Sequence, residues 1–218
     1  MKARYPIVFF DFDGTLAQSG EGIMLSFQYM LEQMGRPPMA ERELRRLVGP
    51  PMLETFGKTL GFQGEEMDRA VNIYREWLNI HGMETLKLFP GVVEMLKTLR
   101  EAGIKTAVAT CKTETVAVAH ADYLGIAPHL DALVGLCPDV GRKEKIHVLR
   151  QLLDYFHAQP DQVVLVGDRK YDCEGAIAAG IPCIGVLYGY GEREELAAYN
   201  PVYLASSVAD LQRYLLGE

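Results

Sequence analysis

A chain of 218 residues, 49% hydrophobic and 23% charged, can bury one sizeable core, or one core plus a small accessory domain. Its formal net charge of -7 excludes a broad basic surface for nucleic acid and leaves small molecules as the expected partners. The four cysteines (Cys111, Cys137, Cys173 and Cys183) lie scattered without zinc-type spacing, which predicts reduced thiols and a cytoplasmic location; no membrane contact is expected, and the chain is expected as a monomer or homodimer.

The first element in chain order is IVFF, Ile7 to Phe10, a short apolar run that reads as a strand buried on both faces. Four apolar residues are too few for a signal peptide or a membrane span. Asp11 and Asp13 follow at its carboxyl end, where open α/β sheets take their ligands. Positions i and i+2 of a strand face the same side, so the two carboxylates should sit together. Like charges that close ask for a metal ion, or for an acid and a nucleophile.

From about residue 19 to 81 no strand is legible, only helical periodicity: Ile23, Phe27, Met30 and Met34, then Met67, Val71, Tyr74 and Leu78. Pro37, Pro38 and the Gly49-Pro50-Pro51 run interrupt it. Such a length is too great for a single crossover, so residues 17–83 read as a helical domain inserted into a core made of residues 1–16 and 84–218. Tyr29, Tyr74 and Trp77 belong to the core or surface of that insert. Past LFPGV (88–92), Val92, Met95, Leu96 and Leu99 mark a helix, and strands are expected at 105–110, 132–136, 163–167, 182–187 and 201–205. Ile146, Leu149, Leu153 and Phe156 give a further helical face. The alternation predicts an α/β fold: a Rossmann-like parallel sheet core with an inserted small helical cap domain.

Other strand ends also carry reactive groups. Thr110 closes one and is followed by Cys111 and Lys112; Asp168 closes another, with Asp172 four residues on; Lys143 and Lys145 precede the helix leading to that strand. Each has a plainer reading. Asp13-Gly14 can be a solvated turn, Thr110 can simply end its strand, and Asp168 or Asp172 can cap a helix. Gly57-Lys58-Thr59 looks like the end of a phosphate-binding loop, but Met52 stands where its first glycine belongs, and no strand precedes it. Cys111 lacks the arginine six residues on that a cysteine phosphatase loop needs, since that position is Ala117. The five histidines show no ligand spacing.

Taken in order, Asp11-Phe12-Asp13-Gly14-Thr15, Thr110, Lys145 and Gly167-Asp168 to Asp172 resemble the four motifs of the haloacid dehalogenase superfamily, in its phosphatase branch. GEGI, VGPPMLETF, FPGV, GRKEK and VLYGYG are similar to its phosphoglycolate phosphatase-like subgroup, whose cap is helical. The resemblance implies a magnesium-dependent phosphomonoester hydrolase working on a small phosphorylated metabolite, with phosphoglycolate as first guess. Nucleotides, sugar phosphates and phosphotyrosine are alternative substrates; a phosphomutase is a rival enzyme, and a metal-binding regulatory module a rival without turnover.

Under this resemblance Asp11 is the nucleophile that becomes an aspartyl phosphate, and Asp13 the acid and then the base. Mg2+ is held by Asp11, the Asp13 backbone carbonyl and Asp168, with Asp172 acting through a water or through another ligand. Thr110 binds a phosphate oxygen with help from backbone N–H groups near Phe12 and Cys111, and Lys145 offsets negative charge. Lys145 is preferred to Lys143 because KIHVL matches the subgroup. Cys111 departs from the Asn or Ser common at its position. Arg45, Arg46 and Gly49 in the insert, with Arg142 in the core, are the candidate substrate contacts.

Overall fold

Four residues without a polar side chain, Ile7–Phe10, form β1, the strand around which the sheet is built in the computed structural model, which describes residues 3–52 and 54–218. All four side chains are buried, as a parallel strand covered on both faces requires. The chain continues through β2 (Ala17–Gln18), helices α1 (Gly20–Gln33), α2 (Glu41–Arg46) and α3 (Gly64–His81), and β3 (Lys87–Leu88), which pairs with β2. Then follow α4 (Val92–Glu101), β4 (Lys105–Thr113), α5 (Glu114–Tyr123), β5 (Ala132–Leu136) and α6 (Lys145–Phe156). The last run is β6 (Val163–Gly167), α7 (Lys170–Ala179), β7 (Cys183–Val186), α8 (Arg193–Ala197), β8 (Tyr203–Ala205) and α9 (Val208–Leu216).

Six strands make one parallel sheet in the order β5-β4-β1-β6-β7-β8, with Phe9 opposite Ala107 on one side and Leu165 on the other. Strands are added outward from β1 to β5, and the chain then returns to lay β6 on the other side of β1. The order therefore reverses at β1, and the carboxyl ends of β4, β1 and β6 stand side by side. This is the α/β parallel core that the sequence predicts.

Two compact units are present: Met1–Ala17 with Leu88–Glu218, and Gln18–Lys87. In the first, Phe9, Val148, Leu149, Leu152 and Leu165 are buried in one cluster. In the second, Phe27 packs on Tyr74 with ring centroids 4.6 Å apart and on Phe56 at 5.6 Å, and Phe62 closes the cluster on Phe56. The stretch Glu54–Thr59 winds as a wide π-helical turn, so Gly57-Lys58-Thr59 forms no phosphate loop. Leu53, inside the VGPPMLETF motif, lies outside the described residues.

Several elements differ from the sequence reading for local reasons. The strands β2 and β3 have two residues each, too short for an alternation to register. β4 runs three residues past Thr110, through polar positions that no apolar pattern marks. Helix α6 turns Lys145, Val148, Leu149 and Leu152 inward, whereas Ile146, Leu153 and Phe156 of the expected stripe are only partly buried. Its first residue is anchored inside, which rotates the buried face. The cysteines are unbridged, but Cys173 and Cys183 bring their sulfurs to 2.9 Å. Among the described residues no helix is long and apolar enough to cross a membrane.

Candidate active site

At the end of β1 the Asp11 N–H donates to the Val166 carbonyl at 2.8 Å, which extends the ladder to β6 one residue beyond the strand and fixes the Asp11 backbone. The turn that follows needs Gly14 twice over. Its φ is +83°, and a Cβ there would stand 2.1 Å from Asp168 Oδ2. The Asp-Gly pair is thus a turn and also a wall of the site.

Lys145, the first residue of α6, reaches the same group. Its Nζ lies 2.8 Å from Asp11 Oδ1 and 2.7 Å from Asp172 Oδ1, and its side chain is 6% exposed. Burial alone would lower its pKa; the Asp11 and Asp172 carboxylates more than offset that and hold it above the ordinary lysine range. Lys143 is exposed. The lysine stem passes against Gly175 on α7, where a Cβ would meet Lys145 Cγ at 2.7 Å. Replacing a mid-helix glycine by alanine ordinarily stabilises by about 1 kcal/mol. Here Gly175→Ala is expected to do the reverse, lowering Tm by several degrees and kcat with it, because the displaced stem carries Nζ off Asp11; a Tm at or above the parent's would refute the close approach.

Asp168 and Asp172 complete the group. Asp168 Oδ2 accepts the Tyr190 N–H at 2.7 Å, while its Oδ1 is buried without a hydrogen-bond partner. Asp172 Oδ2 accepts the Arg169 N–H at 3.1 Å, so this residue caps α7 and meets Lys145 at once. One oxygen from each of Asp11, Asp168 and Asp172 lies within 4.8 Å of the others. Burial pushes the Asp11 carboxyl up to about 7 against the pull of Lys145, with Asp172 and Asp13 adding to the rise. Burial, then Asp172 and Asp11, push Asp168 well above the carboxylate range. A buried oxygen with no partner beside two further carboxylates is costly by itself and fits a hard divalent cation. The all-oxygen donor set suits Mg2+ better than zinc.

Thr110, 1% exposed, accepts the Lys112 N–H on its Oγ1 at 3.1 Å, which leaves its own proton to donate. Burial pushes the Cys111 thiol up to about 12, so it stays protonated. The Phe12 ring is fully buried with its centroid 6.2 Å from that of His120, so only its backbone can serve a ligand. Asp13 meets Lys112, whose Nζ lies 2.9 and 3.1 Å from its two oxygens. Asp11, Asp13, Thr110, Cys111, Lys145, Asp168 and Asp172 all belong to the core unit, Lys145 and Asp172 in the first turns of α6 and α7 and the others at or just beyond strand ends. Arg142 is held by Glu114 through its two terminal guanidinium nitrogens, Nη2 at 2.9 Å. In the other unit Arg45 and Arg46 are exposed in the last turn of α2, and Gly49 makes a turn with φ +101°.

Three supporting roles have no mark in the sequence. Lys112 is legible there only as a residue that follows Thr110, since no local pattern pairs it with Asp13. The Tyr190 N–H is a backbone group and leaves no compositional mark. Glu195 accepts from Arg169 Nε at 2.9 Å and from the Lys170 N–H at 2.8 Å, a long-range pairing that no local pattern encodes.

Paired strand-end carboxylates, a buried lysine and a buried oxygen without a partner thus meet at the switch point of the sheet. The family model described as haloacid dehalogenase-like hydrolase matches residues 8–186, and the chain belongs to that family. It is 35% identical over 212 residues to a 5'-nucleotidase of Pseudomonas aeruginosa, covering 97% of this chain and 96% of that protein. It is 37% identical over 188 residues to the tyrosine-protein kinase PtkA of Mycobacterium tuberculosis, covering 86% of this chain but only 64% of that longer protein. The structure of a predicted phosphatase from Clostridium acetobutylicum superposes with a TM-score of 0.92 at 32% identity, over 98% of this chain and 99% of the other.

Proposed function

We infer that this phosphatase is a magnesium-dependent phosphomonoester hydrolase that works through an aspartyl phosphate on a small phosphorylated metabolite. The observation that carries the reading is Asp11, a strand-end carboxylate held by Lys145 with an oxygen within 4.8 Å of one from Asp168, a residue whose Oδ1 is buried without a partner. Asp11 Oδ2 attacks phosphorus, and the ester P–O bond breaks. The departing oxygen takes a proton from Asp13. Asp13, now ionised, takes a proton from water; that oxygen attacks phosphorus, and the bond to Asp11 breaks, releasing phosphate and restoring the carboxylate. Thr110 donates its hydroxyl proton to a phosphate oxygen. Lys145 keeps Asp11 oriented and offsets the charge that gathers as phosphate approaches. Asp11, the Asp13 carbonyl and Asp168 would hold Mg2+, with Asp172 acting through a water, and the ion when bound neutralises nucleophile and phosphoryl group together.

Residues 17–83 are the cap of this reading, and Arg45, Arg46 and Gly49 are its candidate substrate contacts. Nucleoside 5'-monophosphates are the substrates to test first, given the near full-length likeness to a 5'-nucleotidase, and phosphoglycolate second. The test is turnover of a phosphate-ester panel with Mg2+, together with melting. Mg2+ should raise Tm of the parent by several degrees and leave Asp168→Asn unmoved. Unaltered activity after exhaustive chelation, or no Tm response in the parent, would overturn the metal assignment. Isomerisation of a sugar phosphate without phosphate release would convert the reading to a mutase.

A further inference from the structure

The register between β4 and β5 slips at the site. Ala109 pairs with Val134 but Thr113 with Leu136, so four steps along β4 oppose two along β5. The extra residues form a bulge that holds Cys111 and Lys112. Bulges beside active sites commonly re-aim a side chain.

This bulge is supported on every side that the contacts reveal. The Lys112 N–H is taken by Thr110 Oγ1, and the Lys112 carbonyl lies so near Gly135 that a Cβ there would stand 2.6 Å from it. The Gly135 N–H donates to Glu114 Oε2 at 3.1 Å, and Arg142 grips the same carboxylate. Arg142 therefore braces the strand end through Glu114. What the bulge delivers is the Lys112 ammonium, 9% exposed, against both oxygens of Asp13, whose side chain is 16% exposed. The ammonium also stands 6.0 Å from the centroid of the buried Phe12 ring. A lysine on an ordinary surface keeps its head in water, and an exposed pair contributes little. Lys112 instead pins a carboxylate two residues from Asp11.

We propose that Lys112 is a positioning residue for Asp13, fixing the carboxylate that serves the leaving group while leaving the attack by Asp11 to other residues. The inference rests on the acid role given to Asp13 above. It predicts a dependence on the leaving group. An alkyl oxygen needs a proton as its P–O bond breaks, whereas p-nitrophenolate leaves without one. Losing a placed general acid costs roughly 10²- to 10⁴-fold where the proton is needed. Misplacing it should cost less, about 10- to 100-fold.

The experiment measures single-turnover alcohol release from p-nitrophenyl phosphate and from the alkyl phosphate that the ester panel shows to be turned over best. Lys112→Met is expected to lower the alkyl-to-nitrophenyl rate ratio by about 10- to 100-fold. Asp13→Asn should lower it at least as far, and Lys112→Arg should recover part of the loss. If Lys112→Met does not fold, Lys112→Gln serves the same comparison. A ratio unchanged in the Lys112 variant but lowered in Asp13→Asn overturns the role of Lys112 alone, whether or not both rates fall together. A ratio unchanged in both variants overturns the acid assignment of Asp13 and this inference with it.

Discussion

Asp11→Asn is expected to lower kcat on every phosphate ester by roughly 10⁴-fold or more, the scale on which a member of a cooperating catalytic set is lost. The amide has no lone-pair anion to offer phosphorus, and its nitrogen cannot serve a magnesium ion as the carboxylate oxygen would. The same change should be mild for the fold. Asn Oδ1 can still accept from Lys145 Nζ, which lies 2.8 Å from the corresponding oxygen of Asp11. Burial already disfavours the Asp11 carboxylate, and Asp172 and Asp13 repel it, so a neutral isostere removes a repulsion along with an attraction. With chelator present, Tm of the variant should lie within about 2 °C of the parent or above it, a shift of under about 1 kcal/mol for a chain of this size. Acid quenching during turnover should trap a phosphoryl adduct on the parent protein and none on the variant. A kcat within tenfold of the parent would remove the covalent route.

How much of this was legible beforehand depended on whether a feature is local. β1 was readable because four apolar side chains in a row can only be buried together, and Asp11 and Asp13 because a strand alternates its faces. The order of the sheet was not legible in that sense. It depends on the chain returning to the far side of β1, and no single stretch records that return. Lys145 could be preferred to Lys143 only through the likeness of KIHVL to a family motif, since both stand at the start of the same helix; burial against Gly175 gives the physical difference between them. Arg142 shows the opposite limit. An arginine near a phosphate site reads as a ligand contact, and only the fold brings Glu114 to it. The contact of Lys112 with Asp13 is hidden by a bulge, an irregularity that no local apolar pattern marks.

Lys145→Met tests the charge balance of the site. The methionine keeps most of the stem that packs on Gly175 but withdraws the ammonium from between Asp11 and Asp172, leaving three carboxylates with oxygens within 4.8 Å of one another. Removing one partner of a buried ion pair typically costs 3–5 kcal/mol, about 6–20 °C in a protein of this length. Protonation limits the damage: Asp11 already stands near 7 and Asp168 well above its ordinary range, so both can shed charge by taking up a proton. The lower end, about 3 kcal/mol, is the expected loss in chelator. Added Mg2+ should then raise Tm of Lys145→Met by more than it raises the parent's, because a dication among the same oxygens relieves repulsion that the lysine no longer relieves. Stability recovered in this way should not restore chemistry: kcat should stay roughly 10²- to 10³-fold down, since the group that orients the nucleophile and stabilises developing charge is gone. A packing role for Lys145 would give a Tm loss indifferent to magnesium. A Tm within about 2 °C of the parent in chelator would mean that the carboxylates balance one another by sharing protons, and that the lysine serves catalysis without holding the site together.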